Sequence, residues 1–311
     1  MMTGYLLLAD GTRLQLPVWV SWRLKRTGTV PCDCFEGVCL WDGGLDRTLD
    51  RANRLILEEN SIRRFTGVLD EYELCWSGEG TGLALSARGM AALLLDNEAQ
   101  GQDYQVATLA DILRNHVSPL GIELAEMDHL PPVNGFAVAA GSSQWQVLDG
   151  FARCHAGVEP RFDVYGRLSV TRRVPEGKVE IGDCAGVIRV AWHDRRCKVC
   201  SEVLVRSRGP GEAQRVVNQD FLNQGGQRRR VITMPRKSGY QAMRFSGQYQ
   251  LDRSARERLR LELTLDGGSP CQPGDRAEVS LSCPALSGSW TVLETETVLD
   301  HKGCRTKLTL G

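Results

Sequence analysis

Cysteine and histidine are the residues whose spacing could do chemistry. Cys197-Lys198-Val199-Cys200, with His193 four residues before it, has the local spacing of half a zinc site. A structural zinc ion takes four ligands. The other candidates, Cys184 or the Cys32-Asp33-Cys34 pair, are not in knuckle spacing. His193, Cys197 and Cys200 are thus an incomplete metal set, and two plain thiols on a strand and its turn are expected instead. Gly78-Glu79-Gly80-Thr81-Gly82 lacks the Lys-Ser/Thr tail of a phosphate loop and precedes a strand, so it reads as a hairpin turn. No His is followed by Glu, and no Gly-x-Ser-x-Gly elbow occurs. Asp70, Glu71 and Glu73 fall along a strand, where they form a solvated edge better than an acid–base pair. The sequence holds no catalytic constellation and calls for no cofactor; the expectation is a protein that is not an enzyme.

The elements around these residues divide the chain in three. Tyr5–Ala9 and Arg13–Leu16 flank Asp10-Gly11, a dipeptide that favours a tight hairpin turn. Trp19, Ser21, Arg23 and Lys25 alternate with Val20, Trp22 and Leu24 at the period of a strand. Phe35–Trp41, Arg54–Glu58, Arg64–Leu74 and Gly82–Arg88 continue the pattern, which predicts a small barrel or sandwich over residues 1–96. Residues 97–175 read as an α+β insert. Thr108 and Asp111 fit a helix cap, Leu109, Ile112, Leu113 and Val117 follow at helical spacing, and Pro119 and Gly121 stop the run. A second helix is expected from Ser143 to about His155, then a hairpin through Tyr165-Gly166. Residues 176–311 return to strands at Val187–Trp192, Glu202–Ser207, Arg215–Asn218 and Gln241–Ser246. The one-sided Leu259, Leu261, Leu263 and Leu265 follow, then Ala277–Ser282, Ser289–Val298 and Arg305–Leu310. The fold class is mainly β with an α+β insert, carrying two small β-barrel domains.

Composition sets the outer bounds. The 311 residues carry 38 basic and 38 acidic side chains and are 42% hydrophobic, which argues for a folded core and against disorder. Eleven cysteines, an odd number, cannot all pair within the chain, so most are expected to be reduced, buried thiols. The longest clean apolar run, Ala91 to Leu95, is far too short to span a bilayer, and no membrane anchor or signal peptide is expected.

Charge is uneven despite the zero sum. Residues 195–260 hold sixteen basic against five acidic side chains, including Arg228-Arg229-Arg230, whereas residues 30–100 hold thirteen acidic against six basic. A basic block could bind nucleic acid, but no aromatic side chains are interleaved as stacking platforms. Opposite patches could also meet across a subunit interface, or both could be solvated loops.

Four segments, in this order, resemble the baseplate hub proteins of phage tails, the group that includes the late-control-D type and the Mu-like and Firmicutes prophage tail proteins. Pro31-Cys32-Asp33-Cys34-Phe35-Glu36 resembles the hub's P-x-D-x-F-E strand start, and Phe65-Thr66-Gly67-Val68-Leu69-Asp70 its F-x-G-x-V strand. The segment from Leu85 through Arg88, Leu93, Leu94 and Asp96 to Ala99, followed by the Thr108 helix, is similar to the family's Arg- and Leu-rich segment. Pro273-Gly274-Asp275 and the closing Leu308–Gly311 strand resemble the second barrel. The likeness spans nearly the whole chain. It departs in a shorter length than many hubs and in Cys32 and Cys34.

The resemblance implies a structural protein that forms a homotrimer, whose two barrels per subunit make a six-part ring adapting a threefold spike to a sixfold tail tube. Its implied partners are the tail spike and tail tube proteins, with tape measure and baseplate wedge proteins beyond them. Its place is the tail baseplate of a phage, a defective prophage or a tailocin, assembled in the bacterial cytoplasm. Arg228, Arg229 and Arg230 are the candidate interface loop. Two other classes stay open: an OB-like module for single-stranded nucleic acid, and a cell-wall-degrading tail component, which would need paired carboxylates in a cleft.

Overall fold

Alternating apolar and polar side chains in the first ninety residues build, among the described residues, seven antiparallel strands. They are β1 (Met2–Leu8), β2 (Arg13–Gln15), β3 (Trp19–Thr27), β4 (Cys34–Leu40), β5 (Ala52–Glu59), β6 (Ile62–Ser77) and β7 (Gly80–Gly89). The computed structural model describes the whole chain except residues 28–31, 42–48, 79, 156, 173–176, 184–185, 208–212, 235–239 and 257, and the side chains at 77, 207 and 242. Pro31, Glu79, Cys184 and the boundary expected at 175/176 therefore lie outside the described residues. Gly11 takes the positive φ of 85° that the first hairpin turn requires. Leu6, Phe35, Leu55, Leu57 and Leu83 are fully buried in one core, where Trp19 meets Phe35 edge-on at 5.1 Å.

A mixed unit follows: α1 (Ala92–Asp96), β8 (Gln102–Ala107), α2 (Leu109–Ile112), β9 (Leu124–Met127), β10 (Val133–Val138), α3 (Gln144–Ala152), β11 (Val158–Phe162) and β12 (Leu168–Arg172). Thr108 caps α2 as its sequence predicts. Its hydroxyl accepts from the Asp111 N–H at 3.2 Å, and the Asp111 carboxylate accepts from the Thr108 N–H at 3.2 Å. The helix runs on through a π turn at Leu113–Val117 and a 3-10 turn at Ser118–Leu120, then stops at Gly121, whose φ is +67°. Leu94, Ile112, Leu148, Phe151, Leu168 and Val170 close this unit's own core.

The remainder comprises β13 (Lys178–Gly182), β14 (Val187–Asp194), β15 (Glu202–Ser207), β16 (Ala213–Val217), α4 (Gln219–Asn223), β17 (Arg229–Met234), α5 (Tyr240–Arg256), β18 (Leu259–Asp266), β19 (Arg276–Ser280), β20 (Gly288–Asp300) and β21 (Gly303–Leu310). Leu261, Leu263 and Leu265 point into a third core with Val279, Val292 and Leu308, while Leu259 stays exposed at the strand's start. Gln241–Ser246, expected as a strand, is instead the start of the seventeen-residue α5. Six residues carry too short a pattern to separate the two periods. The longer pattern places Met243, Gly247, Leu251 and Ser254 on one helical face. A Cβ at Gly247 would sit 2.6 Å from Val216, so only glycine lets the helix approach β16 this closely. Helix α5 covers a separate sheet, β16-β15-β17, with its own small core around Val203 and Val205.

The fold is mainly β, as expected, and its first and last strand groups are joined edge to edge. β20 pairs with β21 on one side and with β3 on the other, giving one sheet in the order β14-β18-β21-β20-β3-β4-β7-β6-β5-β1-β2, to which β19 and β13 attach through β20. Within it, Gly67 of the F-x-G-x-V strand faces Gly89 across β7, and a Cβ there would lie 2.3 Å from the Arg88 carbonyl oxygen and 2.4 Å from the Phe65 ring. Backbone and a buried ring cannot both move aside. Gly67→Ala is expected to destabilise the protein by about 2–3 kcal/mol, measured as a lowered urea midpoint with the same slope.

Candidate assembly surface

The long hairpin β6–β7 outgrows its sheet. β6 pairs with β5 only through Ile62–Val68 but with β7 through Gly67–Ser77, so from Leu69 onward its other edge has no strand beside it among the described residues. At that level the sheet has eight strands, β14-β18-β21-β20-β3-β4-β7-β6, every pair antiparallel. Its two edges differ in charge. The β6 edge exposes Asp70, Glu71 and Glu73 with Tyr72, Leu74 and Trp76, the last 83% accessible. The β14 edge exposes Arg189, Ile188 at 57% and Trp192 at 50%, and runs into Arg195 and Arg196, which lie 3.4 Å from Glu262 and 2.9 Å from Asp194. Long edges with unspent N–H and C=O groups are templates for pairing with another strand.

Arg88, in the Arg- and Leu-rich segment, fixes the base of the acidic hairpin. Its guanidinium forks onto Asp70 at 2.8 and 2.9 Å and onto Asp96 at 2.6 and 3.1 Å, joining β7, β6 and α1. These carboxylates hold the arginine's pKa well above its ordinary value, and Arg88 in turn pulls Asp96 below the usual carboxylate range. Asp33, just before β4, ties down the same end of β7 beside Arg88. Its carboxylate accepts the Thr27 N–H at 2.8 Å, and its carbonyl accepts the Gly89 N–H at 2.7 Å. Burial pushes the Asp33 carboxyl up to about 6, against the pull of the Thr27 N–H and of Arg26.

The proposed metal residues are not assembled. Cys200 is buried in the small core, its N–H donating to the Ser254 hydroxyl at 3.0 Å; Cys197 is exposed on a 3-10 turn, Arg196–Lys198; and His193 stands on β14 with Nε2 3.8 Å from Glu262. Among the described residues no three His, Cys, Asp or Glu side chains form a group that could hold a metal ion. The arginine run is a loop only at Arg228: Arg229 and Arg230 begin β17, an edge strand parallel to β15. Arg229 bonds Glu202, which Arg215 also holds at 2.6 Å, and Arg228 donates to the Cys197 carbonyl. Glu202 is buried, and the two arginines depress its pKa. A lone glutamate opening a strand has no signature in sequence; only the fold brings Arg215 and Arg229 to it.

No family model and no curated protein matches this sequence. Solved structures match it from end to end. The tail protein from Neisseria meningitidis MC58 covers 99% of this chain, and 96% of its own length is matched, with a TM-score of 0.81 at 18% identity. The 43 kDa tail protein of prophage MuSo2 from Shewanella oneidensis gives 0.79 at 16% identity, over 99% of this chain and 98% of that one. The fold is that of phage tail proteins. The E. coli c3393 protein, a type VI secretion component similar to the T4 bacteriophage tail proteins gp27 and gp5, shares this tail-protein fold at a TM-score of 0.60 and 11% identity, over 94% of this chain and 73% of that one. Within the tail-protein fold, Gly67 and Asp33 occupy close-packed positions, while the charged edges are exposed.

Asp33 gives a pH signature with a definite sign. The native carboxyl keeps its proton up to about pH 6, the unfolded one only to about 3.9. Between those values the native state binds more protons, so this group's contribution to stability grows as pH falls through 6 and is lost as pH rises. Relative to Asp33→Asn, the wild-type protein should gain about 2 kcal/mol between pH 7.5 and 4.5, read from paired denaturation curves.

Proposed function

We propose that the protein is a structural baseplate hub of a phage or phage-like contractile tail, three copies of which close into a ring between a threefold spike and a sixfold tube. The observation that carries this reading is the pair of open, oppositely charged edges on one antiparallel sheet within a tail-protein fold matched over its whole length. An acidic edge on one copy and a basic edge on the next make a heterologous contact, and a heterologous contact that closes makes a ring. The resemblance seen in the sequence supplies the threefold count. A spike-type partner is supported by the PdpA–VgrG complex of Francisella, whose matched chain has a TM-score of 0.60 at 7% identity over 99% of this chain and 64% of that one. The same reading places the ring beside tail tube, tape measure and baseplate wedge proteins in the virion baseplate, assembled in the bacterial cytoplasm, with a structural role and no catalysis.

Arg228, Arg229 and Arg230 remain interface candidates at the start of β17. Arg229 also holds Glu202, so charge reversal of the whole run would disturb the small sheet itself; Arg230→Glu probes the surface cleanly.

Light scattering on a sizing column tests the ring. The expected mass is near 103 kDa, three chains of 34.4 kDa each, either alone or on adding the spike protein. Arg189→Glu should lower the trimer fraction, and Glu71→Lys with Glu73→Lys in the same chain should restore part of it. A 34.4 kDa species with and without spike would overturn the hub reading.

A further inference from the structure

The arginine-rich stretch folds so that Arg195, Lys198 and Arg260 stand beside Lys25 of β3 and Lys307 of β21, around a cavity of about 290 Å³. The cavity opens on the polar face of the eight-stranded sheet: its strands turn Leu261, Leu263, Leu308 and Leu310 to the core and their alternate residues toward the cavity. Cations crowded in a concave wall concentrate the field and attract a polyphosphate chain. Such a chain binds because each phosphate neutralised by the protein releases a condensed counterion.

Three carboxylates stand among these cations. Glu262 lies 2.9 Å from the Lys307 Nζ, 3.4 Å from Arg195 and 3.8 Å from His193. Glu294 lies 3.4 Å from the Lys25 Nζ, and Glu296 lies 2.6 Å from Arg23 next to it on β3. Lys307 holds the Glu262 carboxyl below its ordinary range, so it is charged throughout neutral pH. Exposed pairs of this kind add little to folding stability. Their effect on a passing phosphate is larger, because each cation must first leave its carboxylate.

We propose that Glu262, Glu294 and Glu296 are fixed counterions that keep this cationic cleft from holding a nucleic-acid chain. That such a face would let a genome slide past rests on the tail reading; the counterion role does not.

The test compares the wild-type protein with the Glu262→Gln/Glu294→Gln/Glu296→Gln variant in low salt, by anisotropy of a labelled single strand and the matching duplex. The wild type should show no saturable binding, and the variant should bind at least about tenfold more tightly, with an affinity that falls steeply as salt rises. Adding Lys25→Gln and Lys307→Gln to the variant should abolish the gain. Wild-type binding as tight as the variant's would overturn the proposal and make the cleft a nucleic-acid site. A variant with native circular dichroism and no binding would overturn it too, as would a gain that survives the lysine changes. Should the triple variant misfold, Glu294→Gln/Glu296→Gln gives the same comparison with Glu262 intact. A sizing run on the same samples reports the ring separately, so failure of one idea is not failure of the other.

Discussion

The ladder between β20 and β3 is the contact on which the rest depends. Six residue pairs, from Glu294 opposite Thr27 to Leu299 opposite Trp22, join the first strand group to the last. Without them there are two half-sheets, each with a raw edge in the middle of the molecule. With them there is one surface whose long open edges, among the described residues, are those of β14 and of β6 beyond Val68. Cross-strand pairs reinforce the register, Arg23 with Glu296 at 2.6 Å and Lys25 with Glu294 at 3.4 Å on the polar face. A slip of one residue would turn those charges into the cores and bring leucine out.

The other face of the seam is polar too, though buried. Thr295 and Thr306 are nearly inaccessible, and Thr306 donates to the Gly267 carbonyl at 2.8 Å while lying 3.2 Å from the Thr297 hydroxyl. Arg26 runs inward beside them and donates to the Arg64 carbonyl at 2.5 Å. This layer separates the core of Phe35 and Leu83 from that of Leu261 and Leu308, so the two groups share a sheet without merging their interiors. Polar groups in such a layer accept few substitutes, because a lost partner leaves a buried donor or acceptor unmet.

Much of this was legible in sequence where a signal is local. The Asp10-Gly11 turn, the alternation through Ser21–Lys25 and Leu261–Leu265, and the Thr108–Asp111 cap each depend on residues a few positions apart, and each forms; at the head of β3 a register shift between Trp19 and Ser21 breaks the alternation, burying Trp19 and leaving Val20 exposed. What the sequence hid depends on distance. Nothing near Glu202 announces Arg215 and Arg229, and nothing near Asp33 announces a buried carboxyl. The seam was hidden for the same reason, since β3 and β20 read alike as ordinary strands whether they pair with each other or not. The α5 helix was hidden differently: its apolar residues are sparse, and Gly247, which lowers helix propensity, is there for close packing. The charge blocks were visible as counts, but only the fold shows that cations of the basic block meet carboxylates from other strands.

The seam also sets an order of events in the cell. Arg23 and Glu296 are 273 residues apart in the chain, and contacts of such separation form late, since the loop between them must close first. During synthesis the first strand group can fold around Phe35 while the β3 edge from Trp22 to Thr27 waits uncovered for its partner. For most of translation, then, the nascent chain offers a third sticky strand that the finished protein conceals. Whatever attends it on the ribosome must guard the middle of the future sheet before its ends.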